Sequence, residues 1–179
     1  INLDLWEEAG MLDGDGTPMI PASWDEWQAA AVQFFDATGV PLFEQPAGGA
    51  GWSRDWMALV YQQGGSIEDA DGLPTIDTPE AAAAIELIIN MYNGTFASED
   101  GVTNSVEAFA NGQAGSVREG TWHVNNFDAQ AADPDIPLSR FYVTSFPQFF
   151  DQPATWSSTH AYIIPLGVDA DPDRLDNIM

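Results

Sequence analysis

The sequence contains no cysteine and no lysine. Without cysteine there is no disulfide, no thiolate metal ligand and no cysteine nucleophile. Without lysine, four arginines face 28 aspartates and glutamates, and the formal net charge is −24. Proteins bind DNA, RNA and anionic bilayers by neutralising phosphates with cationic side chains. We therefore expect no nucleic-acid partner, and a ligand that is neutral or cationic.

Long apolar runs are also missing, because Asp, Gly and Pro interrupt the apolar residues throughout the chain. A membrane-spanning helix needs about 20 consecutive apolar residues, so we expect no membrane-embedded body. The chain nevertheless has 45% hydrophobic residues and seven Trp, ten Phe and four Tyr among its 179 residues. Disordered acidic chains are poor in aromatics. The composition therefore predicts one compact folded unit with a sizeable core.

The acidic residues are spread over the whole length rather than gathered in one run. Such an excess of one charge repels itself and destabilises a compact state unless salt screens it. At about 1 M salt the Debye length falls to about 3 Å, so that neighbouring carboxylates scarcely interact. The sequence therefore predicts a salt-adapted, halophilic protein.

Helix and strand signals alternate along the chain, which predicts an α/β fold. Ser23 and Glu26 form a capping-box pattern at a helix start, and Thr78 followed by Pro79 marks another. The helices are predicted at about 3–9, 23–38, 53–63, 79–92, 104–112 and 120–131, and the strands at 40–43, 114–117, 141–145 and 161–164.

The helix that begins near Pro79 carries a strong apolar stripe, which includes Ile85, Ile88 and Ile89. Such a stripe faces the interior of a globular domain. We expect these three isoleucines to be buried in one core together with Phe109 and Val117.

Three Asp-rich turns, at 13–16, 68–72 and 169–173, place carboxylates two residues apart. None of them has the further spacing and closing Glu of a calcium loop, and Asp and Gly are common turn formers. We therefore predict no metal site and no cofactor.

Two acids lie next to tryptophans and could serve a glycoside hydrolase: Glu119, close to Trp122, and Asp55, between Trp52 and Trp56. No Gly-x-Ser-x-Gly elbow, no His-Glu-x-x-His motif and no phosphate-binding glycine loop occurs. We predict no catalytic residue, and keep hydrolysis by Glu119 and Asp55 as an alternative.

Tryptophans give the positive signal for a binding site. An indole can stack on the apolar face of a sugar ring while polar side chains bond its hydroxyls. Trp52, Trp122 and Trp156 are predicted at loop ends, where binding residues concentrate. The other four lie in helical patterns and are predicted to pack in the core: Trp6, Trp24, Trp27 and Trp56.

Four segments in this order resemble one known family: residues 2–11, 24–27, 62–65, and 109–115 leading into 119–122. The chain is similar to the family 1 extracellular solute-binding proteins of ABC transporters, which include maltose- and multiple-sugar-binding proteins. The resemblance implies a type II periplasmic-binding-protein-like α/β fold, with two lobes joined by hinge strands. It further implies that residues 1–179 are a single fragment covering most of the C-terminal lobe, a mixed sheet flanked by helices. Residues from about 161 to 179 would return toward the hinge.

The resemblance also assigns candidate ligand contacts. Trp122 matches the aromatic residue that stacks on the sugar, and Trp52 matches a second one. Trp156 and His160 are placed at the rim of the cleft. We add the carboxylates of Asp55 and Glu119 as candidate partners of the sugar hydroxyls.

The implied function is to bind a carbohydrate outside the cell and deliver it to an ABC permease by closure of the cleft, without chemistry. The expected protein is a monomer, held at the outer face of the membrane by a lipid anchor outside this chain. A binding protein for a polyol, a peptide or a phosphoglycerol remains an alternative, since the fold does not determine the ligand. The scarcity of arginine disfavours an anionic ligand.

Overall fold

The computed structural model describes residues 1–44 and 50–157. Six α-helices occur in these ranges, and a 3-10 turn over Thr121–His123 leads directly into the last of them. The helices are α1 (Leu3–Glu8), α2 (Trp24–Thr38), α3 (Ala50–Gln62), α4 (Pro79–Met91), α5 (Ser105–Ala110) and α6 (Val124–Ala131). They pack in sequential pairs, α1 on α2, α3 on α4 and α5 on α6. No helix in the described ranges is long and apolar enough to cross a bilayer.

The helix boundaries follow from capping residues that can be recognised in the sequence. The Ser23 side chain accepts a hydrogen bond from the Glu26 amide at the start of α2, and Gly39 ends that helix with φ of 73°. Thr78 caps α4 in the same way, and Asn104 caps α5. The predictions of these three helices are confirmed.

Short extended segments lie between the helices and are joined by few hydrogen bonds. Residues 41–44 lie between residues 95–96 and 115–117, with Leu42 N to Thr95 O at 3.1 Å and Gly115 N to Pro41 O at 3.0 Å. Residues 1–3 continue the row, followed by residues 140–142. The paired residues form isolated bridges, such as the parallel one between Glu44 and Val117. In the described ranges, the strands predicted at 40–43, 114–117 and 141–145 are therefore extended segments with isolated bridges rather than regular strands, and the prediction of regular strands there is wrong. We refer to this row of extended segments as the short sheet. The strand predicted at 161–164 lies outside the described residues.

Among the described residues, two hydrophobic clusters form the core, where one was predicted. The larger cluster is built around Trp6, Trp27 and Phe34 between α1 and α2. The smaller consists of Phe109, Phe127 and Leu138, with Val117 packed against it. All four tryptophans predicted to be in the core belong to the larger cluster, Trp6 and Trp27 as buried residues and Trp24 and Trp56 as partly buried ones.

The apolar stripe of α4 is buried on a different face from the one predicted. Ile88 lies in the larger cluster, but Ile85 and Ile89 are 52% and 61% exposed, so the prediction of their burial is wrong. The inward face consists of Ala81, Ala84, Leu87, Ile88 and Met91. Helix α4 packs against α3, and the Trp56 indole of α3 donates a 3.1 Å hydrogen bond to the carbonyl of Ala81.

The contact between the extended segment 115–117 and α2 depends on a glycine. A Cβ atom at Gly115 would lie 2.3 Å from the Phe34 ring, which is completely buried. The Gly115 carbonyl also accepts a hydrogen bond of 3.0 Å from the Trp6 indole. Gly115 thereby brings the backbone of the short sheet into contact with the aromatic core.

Two of the Asp-rich turns share one hydrogen-bond pattern. Asp13 Oδ1 accepts from the amides of Asp15 and Thr17, and Asp69 Oδ1 accepts from the corresponding amides two and four residues further on. Each first aspartate therefore stabilises its own turn. The third turn, at 169–173, lies outside the described residues.

Candidate functional site

A cavity of about 450 Å³ opens beside the short sheet. One wall is the segment from Ser116 to Trp122, which leaves the sheet and enters the 3-10 turn. A second wall is formed by residues 141–147, and the α3 residues Arg54 and Asp55 contribute a third. Trp156 borders the cavity from the C-terminal part of the described chain.

Trp122 presents its indole to this cavity and is 67% exposed. It is the second residue of the 3-10 turn, which follows Gly120. The indole lies over the backbone of Gly120, where an added Cβ atom would come within 2.3 Å of the ring. The side chain next along the turn, His123, has its ring centroid 6.2 Å from that of Trp122.

Trp156 is held by a cation–π contact. The guanidinium carbon of Arg54 lies 4.3 Å from the centre of the Trp156 ring, and both residues line the cavity. Such a contact contributes about 0.5–2 kcal/mol, depending on its exposure. Arg54 therefore covers part of one side of the indole and fixes it to α3.

Asp55 and Arg118 form an ion pair in the wall of the cavity. Arg118 Nε lies 2.6 Å from Asp55 Oδ1, and the Asp55 side chain is 7% exposed. Burial raises the pKa of Asp55 to about 6, although the nearby charges of Arg118 and Arg54 favour the carboxylate and oppose that rise. The pair connects α3 to the segment from Ser116 to Trp122.

Glu119 is engaged by neighbouring side chains. The Ser105 hydroxyl donates a 2.6 Å hydrogen bond to Glu119 Oε1, and His123 Nε2 lies 3.7 Å from Oε2. Glu119 therefore links the start of α5 to the 3-10 turn around Trp122. This contact stabilises the loop that presents the indole.

The structure brings four of the six predicted ligand residues to the cavity: Trp122, Trp156, Asp55 and Glu119. Trp52 is not among the residues that line it, and the prediction that it lies in a loop is wrong. Helix α3 already begins at Ala50, and the Trp52 ring stacks on Tyr92 with the ring centroids 5.2 Å apart. His160 lies outside the described residues.

Arg54 and Arg118 are charged cavity residues that the sequence did not identify. Two of only four arginines in the chain line this one cavity. The sequence did contain a signal for them. Because arginine is so rare in this acidic chain, each arginine is expected to have a specific partner. Within residues 1–44 and 50–157, no three potential ligands are grouped so as to bind a metal ion.

The sequence model of one family matches residues 1–170, the bacterial extracellular solute-binding proteins. The chain belongs to this family. Solved structures of such proteins share its fold, which is that of the type II periplasmic binding proteins, and this confirms the predicted fold class. No curated protein sequence matches the chain.

Three solved structures illustrate the similarity. The cyclic α-maltosyl-1,6-maltose binding protein of Arthrobacter globiformis is 26% identical, with a TM-score of 0.63 over 86% of this chain and 37% of its own. The ABC substrate-binding protein Lmo0181 of Listeria monocytogenes, solved with cycloalternan, is also 26% identical, with a TM-score of 0.55 over 76% of this chain and 33% of its own. Maltose-bound MalE3 of T. maritima is 22% identical, with a TM-score of 0.63 over 86% and 38%. This chain therefore spans less than two-fifths of the length of these proteins.

Proposed function

We propose that this solute-binding chain binds a carbohydrate in the cavity beside Trp122. The exposed Trp122 indole carries the proposal. It faces a cavity that also contains Trp156 and the charged groups of Arg54, Asp55 and Arg118. A sugar ring needs this combination, because its apolar face stacks on an indole while its hydroxyls bond to charged and polar groups.

Two of the solved relatives support a sugar as the solute. One of the two solved proteins that are 26% identical is a cyclic α-maltosyl-1,6-maltose binding protein, and the other was solved in complex with cycloalternan. Exposure of an indole in a cavity also leaves apolar surface to be covered by a ligand. An oligosaccharide with several ring faces is a suitable occupant.

We further propose that the chain is most of the C-terminal lobe of a two-lobe protein, and that residues 161–179 return toward the hinge. In this proposal the sugar stabilises the closed arrangement of the lobes, and an ABC permease recognises that closure. The complete protein is then a monomer, lipid-anchored at the outer face of the cell membrane.

The proposal includes no chemical step on the sugar. The two acids that suggested a hydrolase both have protein partners, Asp55 with Arg118 and Glu119 with Ser105 and His123. These contacts account for both acids as groups that hold the cavity wall together, so that no acid–base role is needed to explain them. Turnover of chromogenic glycosides by the purified protein would contradict this part of the proposal.

A thermal-shift screen of the full-length protein in molar salt tests the sugar assignment. The panel contains maltose, maltotriose and cycloalternan, with ribitol, glycerophosphocholine and a dipeptide as matched non-sugar solutes. A ligand at about 100 times its Kd adds roughly 2.7 kcal/mol of apparent stability, which raises the Tm clearly. We expect at least one saccharide to do so. Stabilisation by a non-sugar solute alone would overturn the assignment.

A further inference from the structure

We propose that Gly120 is a positioning residue for the Trp122 indole, and that its lack of a side chain sets the pose in which the ring meets a ligand. The effect on sugar affinity rests on the proposed function, whereas the effect on the ring itself does not.

The backbone at Gly120 does not require glycine. Its φ of −77° and ψ of 154° are ordinary extended values that every L-residue adopts. Glycine is usually needed where φ is positive, as at Gly39 or Gly112 in this chain. The reason for a glycine at position 120 therefore lies in the space around it.

That space is filled by Trp122. A Cβ atom on residue 120 would lie 2.3 Å from two atoms of the indole and 2.4 Å from a third, and all three belong to its six-membered ring. Side-chain carbon atoms do not approach one another so closely, so an alanine at this position would displace the ring. The indole thus lies directly on the peptide backbone of residue 120.

Displacement of this ring would leave the fold intact, because Trp122 is 67% exposed and belongs to neither hydrophobic cluster. The flanking residues are held independently, Glu119 by Ser105 and His123 by its contact with Glu119. A side chain at position 120 would therefore change the direction of the indole and little else. That direction decides whether a sugar ring can stack on it while its hydroxyls reach Asp55 and Arg118.

The test uses Gly120→Ala in the full-length protein, with Gly14→Ala as the matched control. Gly14 also has an ordinary φ, but nothing lies within 4 Å of its added Cβ atom. We expect Gly120→Ala to weaken maltotriose binding about tenfold by calorimetry, the loss of one good aromatic stacking contact. Its Tm without sugar should match that of the control. Trp122→Ala should weaken binding similarly, and Gly120→Ala should have no further effect in the Trp122→Ala background.

A second measurement reports on the environment of the Trp122 ring itself. Fluorine NMR of protein labelled with 5-fluorotryptophan assigns the Trp122 signal by its loss in Trp122→Ala. Gly120→Ala should shift that one signal, and Gly14→Ala should leave it unchanged. An unshifted Trp122 signal overturns the inference, as does unchanged maltotriose affinity in Gly120→Ala when Trp122→Ala weakens binding. A shifted signal together with sugar binding that is unaffected by Trp122→Ala supports the positioning of the ring and refutes only its role as a sugar platform.

Discussion

At the scale of single residues, Asp55 is a buried acid whose protonation favours the fold. Its pKa is raised to about 6, chiefly by burial, so the folded chain holds this proton over a pH range in which the unfolded chain has lost it. Stability linked to Asp55 is therefore present at low pH and is lost as the pH rises to about 6. Above that pH, the Arg118 guanidinium reduces the free-energy cost of the buried Asp55 charge but does not remove it.

Asp55→Asn tests this linkage. Between about pH 7.5 and pH 5 we expect the wild-type protein to gain about 1.4 kcal/mol of unfolding free energy that the variant does not gain. Urea unfolding at both pH values, in constant molar salt, measures the difference. Asp77→Asn, at an exposed aspartate, removes the same charge and should keep the wild-type pH dependence. Equal pH dependence in the wild type and Asp55→Asn would contradict the raised pKa.

At the scale of elements, two glycines lie equally close to aromatic rings but have different roles. A Cβ atom at Gly115 would meet the Phe34 ring of α2 at 2.3 Å, as a Cβ at Gly120 would meet Trp122. Phe34 is completely buried between helices, whereas Trp122 faces the cavity. A clash with Phe34 must therefore be relieved by moving α2 or the sheet segment.

Gly115→Ala is accordingly expected to destabilise the protein by about 1–3 kcal/mol, the usual cost of overpacking a core. Chemical denaturation of the variant, beside Gly14→Ala and Gly120→Ala, measures the effect. Only the change at position 115 should lower the denaturation midpoint. A midpoint equal to that of Gly14→Ala would show that the core yields to the extra methyl group.

The helices were predictable where a cap marks their start, as at Ser23, Thr78 and Asn104. These signals are local, because a cap bonds to amides within the next turn. The buried face of α4 was not predictable. Apolar residues occupy more than one side of this helix, and only the packing of the larger cluster decides that Ile88 is buried while Ile85 and Ile89 are exposed.

The candidate site was likewise predictable only in part. Trp122 and Trp156 were candidates from the sequence because they are aromatic residues at predicted loop ends. The same reasoning misplaced Trp52, which lies within α3. The pairing of Asp55 with Arg118, and of Arg54 with Trp156, joins residues far apart in the chain. No local pattern predicts such partners, since they meet only after the helices and the short sheet are assembled.

At the scale of the whole molecule, the net charge of −24 is the dominant property. Among the described residues, Asp55, Asp4 and Glu7 have arginine partners, and most of the other acids have no cation near them. The repulsion among these carboxylates is therefore screened only by ions in the solvent. The Debye length grows from about 3 Å at 1 M salt to about 30 Å at 0.01 M.

We expect the folded state to require salt. Dilution from about 3 M to about 0.05 M KCl should lower the Tm by about 5 °C or more, equivalent to roughly 2 kcal/mol for a chain of this size. Differential scanning calorimetry at several salt concentrations measures the effect. Sucrose at matched osmolality serves as the control for preferential exclusion, which would stabilise the protein without screening its charges. A Tm that is independent of salt would contradict the prediction.

The exposure of Trp122 also gives the molecule an optical property. All seven tryptophans lie in the described residues, and Trp122 is the exposed one, whereas the others are buried or partly buried. A small dissolved quencher such as acrylamide therefore reaches this indole more readily than the rest. A solute that covers the ring shields it from such collisions and shifts its emission toward that of a dry environment. The natural fluorescence of the chain can thus report occupancy of the cavity without any attached dye.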